Sequence, residues 1–517
     1  MKCCIKFLFV IMALLLLCAL CGACGSPAES TESDTDNQPH QHATTAEPVK
    51  VMAATCFEAG YTEYLCDTCG ETYREEVSSV GHAYGAVEIE RATGLGKVTC
   101  SSCGAAVIPI KGADALRFDA KCKGDITLDF EVTGAPAEIE FIMGDSTTVT
   151  KTYEVGTHSD TFVKGLDEGW YTVSVKQNNA DSAVNTISIQ VDGTVLRKDA
   201  LILELNKKND TKGMYEDFFV YVKTSDPSGK YYTRYNFIYE YNTEIKNKAD
   251  STDNIDAFRV KEANLVEITG VTDTEVSYTK IANVLQSGEV SLAVKESGAA
   301  DYVGGFHGDD HMTAFKLMAD GVEYTPGEAD IAVVCSTVEI FQEDIINRCS
   351  QPDVPVMLHT QNYTIDATGV KDDKSVEWLV SDFHIREAFL QMFTLYRTSN
   401  GKTVCETVST YNGNGKLLGS ETVDLSVNVT SRYDILRSNQ IREVKYTSAT
   451  SGVSAVVGFD IVDDSVALKH GYISVRPQKD NKWYAKFQSP TNESTPVKGE
   501  VWKLNTYFDI DYVAPAN

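Results

Sequence analysis

From residue 111 to residue 517, apolar and polar side chains alternate in short runs that Gly, Asp and Asn turns separate. Examples are DITLDFEVTG, TVDLSVNV and GYISVRPQ. A period of two places one set of side chains on the buried face of a strand and the other set on its solvent face. Tyr, Phe, Val, Thr and Ile, which favour strands, are frequent in these runs. The pattern therefore predicts a mainly β fold.

The runs divide into two predicted domains. Six or seven short strands in residues 111–197 indicate a β-sandwich, and the element Gly165-Leu-Asp-Glu-Gly169-Trp170-Tyr171 resembles immunoglobulin-like and fibronectin-like modules. About thirteen strands in residues 198–517 predict a large, jelly-roll-like double-sheet sandwich. Residues 384–396 fit either a helix or a buried strand, and their context favours a strand.

The N-terminal residues are typical of an export signal. Lys2 and Lys6 precede an apolar stretch at 7–20 that is too short to span a bilayer comfortably. Small residues then lead to Cys24, and this stretch resembles the lipobox of bacterial lipoproteins. The resemblance implies a 1–24 signal peptide, diacylation of Cys24, and a protein anchored to the cell membrane on its extracytoplasmic side. An ordinary secretory signal cleaved near the same point is the alternative.

Residues 25–50 are rich in Ser, Thr, Pro, Asp and Glu and contain no aromatic residue, Leu or Ile. This composition predicts a disordered linker, in which we expect His40 and His42 to be solvated. The formal net charge of the chain is −28. Such a surface repels nucleic acid, so nucleic-acid binding is excluded as a function class.

Residues 51–110 contain two Cys-x-x-Cys-Gly motifs, which begin at Cys66 and at Cys100. Two residues between thiols, followed by a glycine, allow both sulfurs to converge on one tetrahedral ion. A segment so poor in aliphatic residues also needs a covalent or metal link to fold. We therefore predict a structural zinc site in a Cys-rich, zinc-ribbon-like domain; its ligands are Cys66, Cys69, Cys100 and Cys103, with Cys56 and His82 as alternates.

The run from Ala54 to Val77, together with the following Gly81-His82-Ala-Tyr84, resembles a short cysteine-rich repeat of large bacterial surface proteins. A second copy around Cys100 lacks the first cysteine and the closing histidine. Disulfide pairing is the alternative to zinc, because an exported protein meets an oxidising environment. Both interpretations give this domain a structural role.

One polar motif interrupts the large domain, Gly304-Gly305-Phe-His307-Gly-Asp309-Asp310-His311. We expect the two glycines to precede an exposed cluster of two imidazoles and two carboxylates. Such a cluster is able to bind a metal or transfer protons. Together with the Asp320-Gly321 turn and the late aromatic strands, the motif resembles β-sandwich domains of phage-tail and polysaccharide-processing proteins. The candidate catalytic residues are His307, Asp309, Asp310, His311, His359, His384 and Arg386, with Gln361 and Arg397 as neighbours.

Three functions follow from these patterns. The first is extracellular recognition by a surface lipoprotein, with a glycan or another cell-surface polymer as partner and no catalysis. The second is cleavage of a polysaccharide, as a lyase or hydrolase, by His307 and its neighbours. The third is a structural role in the cell envelope. Convergence of His307 with His359 or His384 in a groove would favour the enzyme.

Overall fold

A computed structural model describes residues 42, 47–90, 93–111, 115–144, 147–198, 200–207, 214–244, 254–286, 290–400, 402–422, 436–462, 466–478, 482–489 and 494–515. The chain divides into two compact units, Met1–His82 and Ala83–Asn517. The predicted signal peptide, Cys24 and most of the linker lie outside the described residues. In the described part of the chain, no helix is long and apolar enough to cross a membrane.

The first unit contains a three-stranded antiparallel meander. Its strands are β1 (Lys50–Met52), β2 (Gly60–Leu65) and β3 (Thr72–Val77). Tyr64 of β2 lies opposite Tyr73 of β3, and their rings stack with centroids 5.6 Å apart. Most described residues of this unit are exposed or half-buried, and Cys56 and Cys66 are among the few buried ones. So little buried apolar surface supplies only a small hydrophobic stabilisation.

The second unit begins with an eight-stranded sheet in the order β4-β5-β6-β11-β7-β10-β8-β9. Its strands are β4 (Tyr84–Ile89), β5 (Gly96–Cys100), β6 (Ala106–Lys111), β7 (Ala115–Thr133), β8 (Ala137–Met143), β9 (Thr147–Tyr153), β10 (Gly156–Gln177) and β11 (Ala183–Arg197). Residues 111–197 thus form long strands, several of which bend at bulges, rather than six or seven short ones. Strands β4 to β6 come from the predicted Cys-rich range.

The remaining strands form one large, mostly antiparallel sheet that folds back on itself. They are β12 (Leu201–Leu205), β13 (Phe218–Lys223), β14 (Tyr231–Asn242), β15 (Ile255–Val271), β16 (Val276–Leu285), β17 (Ala293–Glu296), β18 (Asp310–Ala319), β19 (Val322–Tyr324), β20 (Ile331–Cys335), β21 (Val338–Arg348), β22 (Gln351–Asp366), β23 (Gly369–Trp378), β24 (Ile385–Tyr396), β27 (Thr407–Asn412), β28 (Leu417–Thr422), β29 (Leu436–Ser438), β30 (Ile441–Thr447), β31 (Val453–Ile461), β32 (Tyr472–Gln478), β33 (Lys482–Gln488) and β34 (Val501–Tyr512). A small hairpin, β25 (Thr398–Ser399) with β26 (Lys402–Thr403), a 3-10 turn at Gly305–His307 and a short helix, α1 (Val466–Lys469), complete the described elements.

A continuous hydrophobic core holds the faces of this sheet together. Trp378 and Trp502 meet at 5.0 Å between ring centroids, and Phe393 contacts Phe508 at 5.5 Å. All four side chains are buried. Aromatic side chains of this size contribute most of the apolar area in a β-sandwich core. The mainly β, sandwich-type fold predicted from the alternation is confirmed.

Strand β24 settles the ambiguity at residues 384–396. It pairs with β33 from Phe389 to Tyr396, for example Leu395 with Trp483, and its first residues pair with β17. Eight consecutive residues of the strand, from Ala388 to Leu395, are buried. A strand buried on both faces has no alternation, which is why periodicity alone did not distinguish it from a helix.

Candidate functional site

Both Cys-x-x-Cys-Gly motifs adopt the same local conformation. Gly70 has φ +73° and its amide donates to the carbonyl of Cys66 at 2.9 Å, and Gly104 has φ +75° and donates to Cys100 at 2.9 Å. A positive φ favours glycine, because a Cβ atom is strained there. The sequence therefore closes a tight turn at each motif, as the spacing predicted.

In the first unit, the Cys66–Cys69 turn lies beside His42. The ligand atoms of His42, Cys66 and Cys69 all lie within 4.8 Å of one another, so this Cys/His cluster is able to hold a metal ion. The predicted alternates Cys56 and His82 also belong to this unit, where the His82 ring contacts Phe57 edge-to-face at 4.7 Å. Cys100 and Cys103 belong to the second unit. His42 was not predicted as a ligand.

The Gly-Gly-x-His motif forms a tight turn before β18. A Cβ atom at Gly305 would overlap the side chain of Ser291, so the close backbone approach requires glycine there. His307 lies 3.6 Å from the Asp301 carboxylate and its ring is 4.8 Å from Tyr302. Asp309 is buried and accepts from the amide of Ser350 at 3.3 Å. The motif thus packs into the domain rather than forming an exposed cluster.

Asp310 and His359 do converge, together with Asp344 and Arg259, in the interior of the large domain. The Nδ1 atom of His359 lies 3.6 Å from Asp344, and Arg259 donates to the carbonyl of Gly305 at 2.5 Å. Burial, reinforced by the Asp344 carboxylate, raises the pKa of Asp310 well above its usual range. Burial among these carboxylates therefore favours the neutral, protonated form of Asp310.

This interior cluster lines a hollow of about 10 Å³, which has room for about one water molecule. Asp310 Oδ1, Asp344 Oδ1 and His359 Nε2 lie buried with no hydrogen-bond partner among the described residues. Gln361 also lines the hollow and donates to the Tyr363 hydroxyl at 2.9 Å. The hollow is far smaller than the 300–1,000 Å³ typical of ligand pockets. Acids and bases converge here without space for a sugar.

The other candidates lie apart from this cluster. His384 is exposed and hydrogen-bonds the Thr495 hydroxyl at 2.9 Å, and Arg386 is exposed on β24. His311 follows Asp310 on β18 and is half-buried, because neighbouring residues of a strand point to opposite faces. Arg397 directly follows β24 and is buried.

The large domain also contains a concave site that the sequence did not predict. It is an open groove of about 560 Å³ on the outer face of β23, β34, β31, β30 and β27. We call it the Tyr507 groove. Its lining is formed by Lys371, Asp373, Asn412, Gly413, Gly415, Arg442, Glu443, Phe459, Asp460, Asn505, Thr506 and Tyr507. Most of these residues are charged or carry an amide, and Tyr507 supplies an exposed ring.

One cross-strand row forms the centre of the groove. Tyr507 lies between Lys371 on one neighbouring strand and Gly458 on the other, and Gly458 in turn pairs with Glu443. The Tyr507 hydroxyl donates to the Glu443 carboxylate across the glycine. Partial burial and this hydrogen bond raise the pKa of Tyr507, so it remains a neutral donor. The row presents a fixed aromatic ring between a cation and a carboxylate.

The β27–β28 hairpin forms one wall of the groove. The Asn412 side-chain oxygen accepts from the amides of Asn414 and Lys416 at 3.0 and 2.9 Å. Gly415 has φ +72°, which closes the turn. Because the side chain of Asn412 binds its own loop, the hairpin presents a rigid, amide-rich rim to the groove.

A second hollow of about 260 Å³ shares Tyr507 and Glu443 with the groove. Asp509, Asp511 and Lys445 are among its lining residues. Burial, followed by the Asp511 carboxylate, raises the pKa of Asp509 to about 7. The Tyr507–Glu443 pair therefore lines two adjoining depressions on one sheet face, which together offer an extended surface.

No protein-family model matches this sequence. None of the curated proteins is significantly similar to it. Among solved structures, the chain is similar to a galactose mutarotase-like protein from Clostridium acetobutylicum. The alignment has 8% sequence identity and a TM-score of 0.27, and covers 61% of this chain and all of that protein. A similarity at this TM-score assigns neither fold family nor activity, so the function must be inferred from this chain's own residues.

Proposed function

We propose that this chain is a lipid-anchored bacterial surface protein that binds a glycan in the Tyr507 groove without cleaving it. The observation that carries the proposal is the exposed Tyr507 ring, fixed by Glu443 in an open groove whose volume is in the usual range for ligand sites. An aromatic ring packs against the C–H face of a sugar. The surrounding amides and charges of Asn412, Asn505 and Arg442 suit its hydroxyl groups.

Recognition is favoured over turnover by the location of the predicted catalytic residues and their buried neighbours. Asp310, Asp344 and His359 surround a hollow with room for about one water molecule, so a saccharide does not reach them. His307 and His384 lie elsewhere, each with its own polar neighbour. A general acid or base must lie within hydrogen-bond reach of the reacting group, directly or through one water.

The surface location is supported by the sequence alone. The apolar stretch at 7–20 and the small residues before Cys24 are those of a lipoprotein signal. Residues 25–50 would then hold the folded units on the order of 30 Å from the anchor as a flexible coil. Glycan binding at that distance suits attachment to a surface polymer.

The metal in this proposal is structural zinc at the Cys-x-x-Cys-Gly turns. Closely spaced thiolates with a histidine are a donor set that zinc prefers. Support comes from the His42–Cys66–Cys69 cluster and from the small core of the first unit, which needs a further link to remain folded. Zinc would hold the turn and supply no chemistry to the groove.

A glycan array tests the binding proposal. The wild-type protein should bind a subset of immobilised glycans, and Tyr507→Ala should lose those signals. Tyr241→Ala is a matched control, because Tyr241 is 47% exposed, similar to the 40% of Tyr507, and lies outside the groove. Chromatography of the bound glycans should show no shortened products. If shortened products form with the wild-type protein and are absent with His307→Ala, the protein cleaves the polysaccharide, and the binding proposal is wrong.

A further inference from the structure

We infer that His42, from the linker segment, is a metal ligand that ties the linker to the Cys66–Cys69 turn. The inference adds a ligand to the proposed structural zinc site and rests on that proposal. It assigns a Cys2His donor set within the first unit, including a residue that composition alone places in a solvated tether. Binding of zinc would then fix the point at which the linker joins the folded unit.

The distances fit a tetrahedral ion. A zinc–sulfur bond is about 2.3 Å and a zinc–nitrogen bond about 2.0–2.1 Å, so at a tetrahedral angle the two donor atoms lie about 3.6 Å apart. The Nδ1 atom of His42 lies 3.7 Å from Cys69 Sγ. The Cys66 sulfur is within 4.8 Å of both. The His42–Cys69 pair therefore already has the spacing that the ion imposes, and the Cys66 sulfur is close enough to join it.

An aromatic stack positions the imidazole. The His42 ring lies almost parallel to Tyr73, at 5.2 Å and 16°, and Tyr73 stacks on Tyr64 of the neighbouring strand. Metal sites depend on groups behind the ligands that fix their orientation. Here the β2–β3 hairpin carries this support, because it also leads into the Cys66 turn at the end of β2. The same hairpin thus holds both thiols and orients the histidine.

The charge of the site also fits a divalent cation. Two thiolates carry two negative charges, and a neutral histidine adds a third donor without adding charge. The amide of Cys66 donates to the Glu71 carbonyl at 2.8 Å, which closes the turn that carries both thiols. Zinc is the metal that this mixture of soft sulfur and nitrogen donors favours.

The test is a competition titration of the full chain in detergent, in which a chromophoric chelator competes for zinc. His42→Asn should weaken zinc binding at the Cys66–Cys69 turn by at least about tenfold. Mutation of a residue that only hydrogen-bonds a metal ligand already lowers metal affinity by about 10–100-fold. His42→Cys replaces one ligand by another and should restore affinity. With cobalt in place of zinc, it should also strengthen the sulfur-to-cobalt charge-transfer band. His40→Asn, two residues upstream, should bind as the wild type does.

Wild-type affinity in His42→Asn would overturn the inference, as would a loss caused by His40→Asn instead. Failure of the zinc proposal has a different signature. In that case the double variant Cys66→Ser/Cys69→Ser would contain as much zinc as the wild-type protein. Far-ultraviolet circular dichroism of each variant shows whether the β2–β3 hairpin and the second unit remain folded.

Discussion

The ring of Tyr507 lies across the Cα atom of Gly458, its cross-strand partner, and a Cβ atom at position 458 would overlap that ring. Glycine at this position leaves room for the ring to lie against the backbone while its hydroxyl reaches Glu443. An aromatic ring that covers a cross-strand glycine also shields backbone that would otherwise face water. The conformation of the groove thus depends on one residue that has no side chain.

Gly458→Ala should therefore displace Tyr507 and weaken glycan binding about as much as Tyr507→Ala does. The added methyl group is compatible with a strand, because Gly458 does not require a positive φ. Affinity is measured by calorimetric titration of a glycan selected on the array. Gly270→Ala is the control, since a Cβ atom there meets only Ser277 at an ordinary 3.8 Å. Unchanged affinity in Gly458→Ala would show that Tyr507 does not contact the ligand in this conformation.

Glu443→Gln should lower the pKa of Tyr507. Burial contributes most to the raised pKa, and the Glu443 carboxylate adds to it as a hydrogen-bond acceptor and a negative charge. Replacing the carboxylate by a neutral amide removes the second contribution and leaves the first. Titration of ¹³C-labelled tyrosine by NMR measures the change. The exposed Glu421→Gln serves as control, and an identical Tyr507 titration in Glu443→Gln would contradict the geometry.

Asp509→Asn should reduce the dependence of stability on pH. The pKa of Asp509 is about 7 in the folded chain and about 3.9 in an unfolded chain, so between these values the folded state holds a proton that the unfolded state has lost. The wild-type protein then loses stability as the pH rises from about 4 to 7.

Urea unfolding at pH 5 and pH 8 measures this difference. The free energy of unfolding should fall less between the two values in Asp509→Asn than in the wild-type protein. Asp353→Asn, an exposed control, should follow the wild type. Equal losses in all three proteins would mean that Asp509 titrates as an ordinary carboxyl group.

Arg259→Leu should lower the free energy of unfolding by about 3 kcal/mol, which is the lower end of the range for removing one partner of a buried ion pair. Arg259 is buried, pairs with Glu240 and donates to the carbonyl of Gly305, so its loss removes the donor for both groups. Chemical denaturation gives the value. Arg386→Leu removes an exposed arginine and should cost less than about 0.5 kcal/mol. A similar small cost at Arg259 would contradict its structural role.

The sequence predicted the local features of this fold and missed features that join distant strands. Alternation predicted strands such as β34, and the Cys-x-x-Cys-Gly spacing predicted two glycine-closed turns. The Tyr507 groove combines residues 371, 443 and 507, whose proximity depends on the pairing of β23, β34, β31 and β30. Nothing in one sequence determines that register.

The polar motif at 304–311 shows a second limit of prediction from the sequence, which is the burial of polar residues. Its composition indicated an exposed cluster, yet Asp309 and Asp310 are buried, because the glycines allow the backbone to approach Ser291 closely. His42 shows the opposite error, since a low-complexity context hid a residue that lies beside two thiols. In Asn505-Thr-Tyr507-Phe-Asp509, alternation places Tyr507 on the outward face with Asn505 and Asp509, a signal that was available for the groove but was not used.

Hydroxyl-radical footprinting with mass spectrometry shows whether a bound glycan covers Tyr507. Tyr507 and Tyr241 are exposed to similar extents, so both should be oxidised in the unbound protein. Saturation with the glycan identified on the array should protect Tyr507 and leave Tyr241 unchanged. Undiminished oxidation of Tyr507 in the saturated protein would mean that the glycan does not bind in the Tyr507 groove.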